Sequence, residues 1–166
     1  GVVFQDYALF PHLSVMENIA FGPRSLGSSK KVSQVRAQSQ LESLGITELG
    51  HRKPNQISGG QAQRVALARA LAIEPSVLLL DEPLAALDAQ TKESVRTELE
   101  KQIDGFDGCV IFVTHDPLDA MLLADRVVVL EDGTITQEGT PSELAARPET
   151  DYVATLMGVN LIRGVA

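Results

Sequence analysis

Val77-Leu78-Leu79-Leu80-Asp81-Glu82-Pro83 is an apolar run that ends abruptly in two carboxylates and a proline. Four apolar residues without alternation suit a strand buried on both faces of a parallel sheet. Val110-Ile111-Phe112-Val113 repeats the pattern and ends in Thr114-His115. Between the two runs, residues 89–104 place Val95, Leu99 and Ile103 at i, i+4 and i+8, one buried stripe of a helix. Strand, helix and strand in this order predict an α/β fold with a parallel sheet and right-handed crossovers. Ligands of such sheets bind beyond the carboxyl ends of the strands, so Asp81-Glu82 and Thr114-His115 are expected to face one crevice.

Upstream, Ser58-Gly59-Gly60-Gln61 is a capping box for a helix that runs to about residue 72. Its glycines let backbone come close to a ligand, and its free amides and positive dipole end suit a phosphate. Ser14-Val15-Met16-Glu17 is another capping box; the first third of the chain reads as mostly helical, with a polar loop at 22–31 and a helix over 32–44 closed by Gly45. Downstream, Asp116-Pro117 predicts a helix start, 127–130 a third strand, Asp132-Gly133 a type I′ turn into 134–137, and Thr140-Pro141-Ser142-Glu143 a capped helix.

The acidic pair has a chemical use: one carboxylate can hold Mg²⁺ against nucleotide phosphates, and its neighbour can orient and deprotonate a water. A strand ending in two solvated acids, and a Gly-Gly loop before a capped helix, are the ordinary alternatives for each motif alone. His12 and His51 read as structural residues. Cys109 excludes an internal disulfide and reads as a small buried apolar residue.

Composition narrows the class. The chain has 166 residues, 44% hydrophobic and 22% charged, with a formal net charge of -8. That charge disfavours a polyanionic partner, so no nucleic acid is expected. The longest stretch free of charged residues, 152–162, is 11 residues, too short to span a bilayer as a helix.

The order of these motifs resembles the ATP-binding-cassette (ABC) ATPases over nearly the whole chain. In that resemblance Ile57-Ser58-Gly59-Gly60-Gln61 is the signature motif, with Ile57 where Leu is usual. Leu79-Leu80-Asp81-Glu82 is the Walker B end, implying Asp81 as the Mg²⁺ residue and Glu82 as catalytic. Ala85-Ala86-Leu87-Asp88 matches the D-loop, with Ala85 where Ser is usual, and places Asp88 at the nucleotide. His115 matches the catalytic switch histidine. Gln5, in Val3-Phe4-Gln5-Asp6, matches the glutamine that meets Mg²⁺ and nucleotide. Ser58, Gly59, Gly60 and Gln61 are implied to bind the nucleotide of a facing cassette.

The resemblance implies a P-loop NTPase (RecA-like) α/β core, here incomplete, with the ABC helical subdomain. Residues 1–150 are then the ATPase domain, with 6–60 the helical region and 61–150 part of the catalytic core. Residues 151–166 are a last helix and the start of a link to a small β domain. No G-x-x-x-x-G-K-[ST] occurs in the 166 residues; 22–27 and 45–50 have the glycine spacing but Ser28 and His51 stand where lysine is needed. The phosphate-binding part is expected upstream of Gly1, and the chain alone is expected to be inactive.

The implied protein is the ATP-hydrolysing subunit of an importer, using ATP and Mg²⁺ at the cytoplasmic face of a bacterial or archaeal plasma membrane. Its implied partners are a second ATPase subunit, transmembrane permease subunits and, indirectly, an extracytoplasmic solute-binding protein. Phe10-Pro11-His12-Leu13-Ser14 resembles the stretch lining the permease docking groove. The ending Tyr152 to Leu161 is similar to that of molybdate or other oxyanion importers, with polyamine, sulfate or iron importers as the alternative. A DNA-processing ABC-type ATPase is the rival from another class.

Overall fold

The computed structural model describes residues 1–85 and 87–159, and of Gln90 the backbone alone. Ala86 of the Ala85–Asp88 motif and residues 160–166 of the C-terminal stretch, Asn160 and Leu161 included, lie outside the described residues. The chain forms two compact units, one from Gly1 to Val113 and one beginning at Thr114. The boundary falls inside the 61–150 segment.

The first unit opens with a short strand, β1 (Val2–Val3), then three helices, α1 (Val15–Ser25), α2 (Lys30–Ser43) and α3 (Gly59–Leu71). Strand β2 (Val77–Asp81), helix α4 (Ala89–Asp104) and strand β3 (Cys109–Val113) complete it. The strands form a parallel sheet in the order β1-β2-β3, with Val2 opposite Leu79 and Leu79 opposite Ile111. Two residues carry too little pattern for β1 to be legible in sequence; its pairing includes the Leu79 amide, which donates to the Gly1 carbonyl at 2.9 Å.

Helices α1, α2 and α3 pack on one another. Ile19, Leu41, Leu44, Ile46 and Leu49 are buried in this helical part. Helix α2 buries just Ser33, Ala37 and Leu41, spaced at four residues, so a narrow stripe of small residues sets its approach. The Ser14 cap of α1 forms as expected: the Glu17 amide donates to Ser14 Oγ at 3.2 Å and the Ser14 amide to Glu17 Oε2 at 2.8 Å.

That reciprocal cap holds the Glu17 carboxyl below its usual value, chiefly through the Ser14 amide and then its hydroxyl. A folded-state value lowered in this way contributes stability above the unfolded carboxylate range and loses it as pH falls through the folded value. Glutamine can make the same cap without titrating. The difference in Tm between the wild type and Glu17→Gln is therefore expected to shrink as pH is lowered from ~6 to ~3. Thermal unfolding across that window checks it; a constant difference counts against the cap.

Two expectations need correction. The loop placed at 22–31 is shorter, because α1 continues through Gly22 and Pro23 to Ser25, and Ser29 caps α2 from Lys30. Pro23 sits in the last turns of α1, so little helix remains beyond it to be disrupted. Gly22 is there for packing: a Cβ at that position would lie 2.6 Å from Ile73 Cγ2.

The sheet, too, is not buried on both faces. Val3, Leu78 and Leu80 are buried, whereas Val2, Val77, Leu79, Cys109, Ile111 and Val113 lie on the other face and are exposed. Ile111 is 53% exposed and Val113 57%. Cys109 is thus a surface thiol, because the strand places it on the face that the described residues leave open.

The second unit contains α5 (Pro117–Leu123), the hairpin strands β4 (Val127–Glu131) and β5 (Thr134–Gly139), α6 (Pro141–Ala146) and α7 (Asp151–Leu156). Asp132 and Gly133 both take positive φ, 51° and 77°, as a type I′ turn demands. The third strand of the alternation, β4, pairs antiparallel with β5 in a sheet of its own. Ala120, Val127, Val129, Leu144, Val153 and Met157 form the core of this unit. Among the described residues no helix is long and apolar enough to cross a membrane.

Candidate functional site

Parallel pairing puts the carboxyl ends of β1, β2 and β3 at one edge of the sheet, and the acidic pair lies there. Asp81 is the last residue of β2, opposite Val113 of β3, and is exposed. Glu82 follows it, and its amide donates to the Val113 carbonyl at 2.9 Å. Its φ is 44°, in the left-handed region. For a non-glycine residue that conformation costs roughly 1–2 kcal/mol, and such strain gathers at functional sites where the surroundings over-determine it. Here the surroundings are the bond to β3 and the buried Pro83 and Leu84 just beyond.

Gln5 leaves the end of β1 and reaches the same edge. Its Nε2 donates to Glu82 Oε2 at 3.2 Å, across 77 residues of sequence. Gln5, Asp81 and Glu82 are therefore one group of polar side chains at the sheet's carboxyl edge. Their hard oxygen donors fit Mg²⁺. Among the described residues there is no cluster of three or more His, Cys, Asp or Glu that could hold a metal ion.

The signature stretch caps α3 as the sequence predicts. Ser58 Oγ accepts from the Gln61 amide at 3.3 Å, and Gln61 Oε1 accepts from the Ser58 amide at 2.9 Å. Ser58 and Gly59 are exposed, and Gly60 is buried. A Cβ on Gly60 would come within 3.1 Å of Thr91 Cγ2 and 3.4 Å of Val95 Cγ2, so this glycine lets α4 pack against α3. A Cβ on Gly59 would meet Leu87 at 3.6 Å. The signature stretch thus adjoins the start of α4, where Asp88 Oδ1 accepts from the Thr91 amide at 3.0 Å and caps that helix. Asp88 has a clear structural role whatever else it binds.

His115 belongs to the second unit and is exposed. Its neighbours in the chain are tied down. The Asp116 amide donates to Thr114 Oγ1 at 3.0 Å, and that hydroxyl lies 3.3 Å from Oδ2 of Asp119, which is 3% exposed. His12 and His51 both lie at the surface, the His12 ring 6.2 Å from that of Phe10.

Two residues beside the site escaped the sequence reading. Asn18 in α1 is fully buried; its amide donates to the carbonyls of Phe10, Leu13 and Ser14, and its Oδ1 accepts from the Phe10 amide at 2.8 Å. Arg69 in α3 donates to the carbonyls of Ala8 at 2.7 Å and Tyr7 at 2.8 Å. Together they hold the loop that follows Gln5. Arg69 had a signal in the sequence, since it is the single charge in the apolar stretch 65–73. A buried asparagine had none.

A parallel sheet with a carboxylate pair at its carboxyl edge, and a capped Gly-Gly helix in the same unit, make this an α/β protein whose polar groups gather at one edge of its sheet. The family model described as ABC transporter matches residues 1–85, and the chain belongs to that family. It is 46% identical, over 95% of its length, to the Fe(3+) ions import ATP-binding protein FbpC of Rhizobium etli, and covers 45% of that protein. It is 48% identical, over 98% of its length, to the sulfate/thiosulfate import ATP-binding protein CysA of Synechococcus elongatus, and covers 47% of it. The chain thus spans about half the length of the curated relatives it matches. Its fold is similar to the ATP-binding cassette MJ0796 in a dimeric post-hydrolysis state bound to ADP and Pi, with a TM-score of 0.70 and 36% identity over 84% of this chain and 62% of that one.

Proposed function

We propose that this chain is part of the ATP-hydrolysing subunit of an importer, and that its edge residues act on ATP. The observation that carries the reading is the contact of Gln5 with Glu82 beside Asp81, at the carboxyl edge of a parallel sheet. In this reading Asp81 and Gln5 hold Mg²⁺, which when bound neutralises phosphate charge. Glu82 orients and deprotonates the attacking water. His115 serves the same reaction as the switch residue. Ser58 and the amides of Gly59 and Gly60 reach the nucleotide of a facing cassette, with Gln61 holding their cap and Asp88 bordering the same nucleotide. The partner cassette is a second copy or a close homologue.

Residues 6–60 then pass movement to a permease at the cytoplasmic face of the membrane, with Phe10 to Ser14 lining the docking groove. A solute-binding protein outside the membrane delivers the cargo. Residues 1–150 are the ATPase part, and 151–166 are its last helix and the start of a link. For the cargo, iron(III) or a sulfate-type anion stands ahead of molybdate, because the relatives above are named for those solutes. A DNA-processing role is disfavoured by the net charge of -8.

A complementation assay tests the reading. A homologous cassette with its own P-loop, but with its signature serine changed to arginine, lacks a competent trans contact. Adding the 166-residue chain is expected to raise that cassette's ATP turnover at least ~10-fold, a modest part of what donors aimed at developing charge can supply. No gain with the chain in excess sinks the proposal. The chain by itself is expected to show background turnover, because its sequence contains no G-x-x-x-x-G-K-[ST].

A further inference from the structure

The backbone just after Gln5 is under strain. Tyr7 and Ala8 are consecutive non-glycine residues with φ of 61° and 42°. Left-handed backbone in such residues is uncommon, and two in a row need something to hold them. The Tyr7 amide closes a turn onto the Phe4 carbonyl at 2.9 Å. This bond sets where the turn begins but leaves the Tyr7 and Ala8 carbonyls to be satisfied.

Arg69 satisfies both. Its Nη1 donates to the Ala8 carbonyl at 2.7 Å and its Nη2 to the Tyr7 carbonyl at 2.8 Å, so one planar fork spans the two strained residues. The guanidinium carbon also lies 5.6 Å from the centroid of the Phe10 ring, whose centroid is 4.6 Å from that of Phe21 in α1, the two rings tilted by 49°. Tyr7 is buried, at 7% exposure. Burial lowers the arginine's proton affinity, and the negative charge of Asp6 partly restores it. Arg69 lies near the far end of the helix that Ser58 caps at its start.

We propose that Arg69 is a positioning residue: it locks the Tyr7–Ala8 turn to α3, and so ties the placement of the Gln5 side chain against Glu82 to the helix that carries the Ser58 cap. The lock needs a forked donor. An ammonium has donors for both carbonyls but no rigid fork, and on its flexible stem it holds the pair less firmly. This inference rests on the reading of Gln5 and Glu82 as partners in one site.

The test uses the 166-residue chain and two magnetic-resonance readouts. In Arg69→Met and in Arg69→Lys, the Tyr7 and Phe10 amides are expected to exchange at least ~10-fold faster than in the wild type, while interior amides of α1 and α3 keep their rates. Equal acceleration throughout the first unit, no acceleration at 7 and 10, or full protection in Arg69→Lys each overturns the lock. If Arg69→Met does not fold, Arg69→Lys alone decides. The second readout is the side-chain amide signal of Gln5. In the wild-type background Glu82→Gln is expected to shift it; in the Arg69→Lys background that shift should fall at least twofold. A Gln5 signal indifferent to Glu82→Gln in the wild type defeats the shared-site reading, whereas a normal response that Arg69→Lys leaves intact defeats the lock alone.

Discussion

Leu80→Ala is expected to lower the unfolding free energy of the first unit by about 2–5 kcal/mol. Leu80 is 2% exposed in the middle strand of the sheet, opposite Val3 on one side and Phe112 on the other. Truncation removes apolar contact and leaves a cavity that two neighbouring strands cannot close by shifting, because their register is fixed by the ladder. Domains of this size have about 5–15 kcal/mol of stability in all, so a loss of this order is a large share. Leu79→Ala is the control. Leu79 points to the other face and is 40% exposed, so its truncation should cost less than about 1 kcal/mol. Urea denaturation of the two variants measures the contrast. Equal midpoints would show that the sheet's two faces are covered alike and that the assignment of its buried side is wrong.

The second large effect is functional. Ser58→Arg is expected to remove the gain in ATP turnover that the chain gives to a signature-impaired cassette. Ser58 is an exposed N-cap, so arginine needs no room in the core. Loss of the cap should cost about 0.5–2 kcal/mol, leaving the fold in place. What arginine removes is the hydroxyl and the open approach to the amides of Gly59 and Gly60. Ser58→Ala separates the two effects: it loses the cap but keeps the approach, and should retain part of the gain. If the arginine variant stimulates as well as the wild type, the signature stretch is not what reaches the other cassette's nucleotide.

How far the sequence carries depends on whether a feature is local. Capping boxes at Ser14, Ser58 and Thr140 and the turn at Asp132-Gly133 form as expected, because each is closed within four residues and needs no help from the rest of the chain. The carboxyl-edge position of Asp81-Glu82 was legible too, since an apolar run that stops in acids marks the end of a strand. What failed was anything set by a distant neighbour. Gly22 and Pro23 look like loop residues until Ile73 is seen against the helix. An unbroken apolar run does not encode which face of a sheet its own chain covers, so Cys109, Ile111 and Val113 were misjudged. Nor does a lone arginine in an apolar helix say which carbonyls it will hold.

The left-handed backbone at Glu82 bears on how this protein can be changed. Glycine would relieve the strain at that position at no steric cost, and asparagine would relieve part of it. Any laboratory evolution that rewards heat resistance alone therefore pushes against the acidic side chain itself. Thermotolerant descendants selected without an activity screen should be sequenced at this codon first.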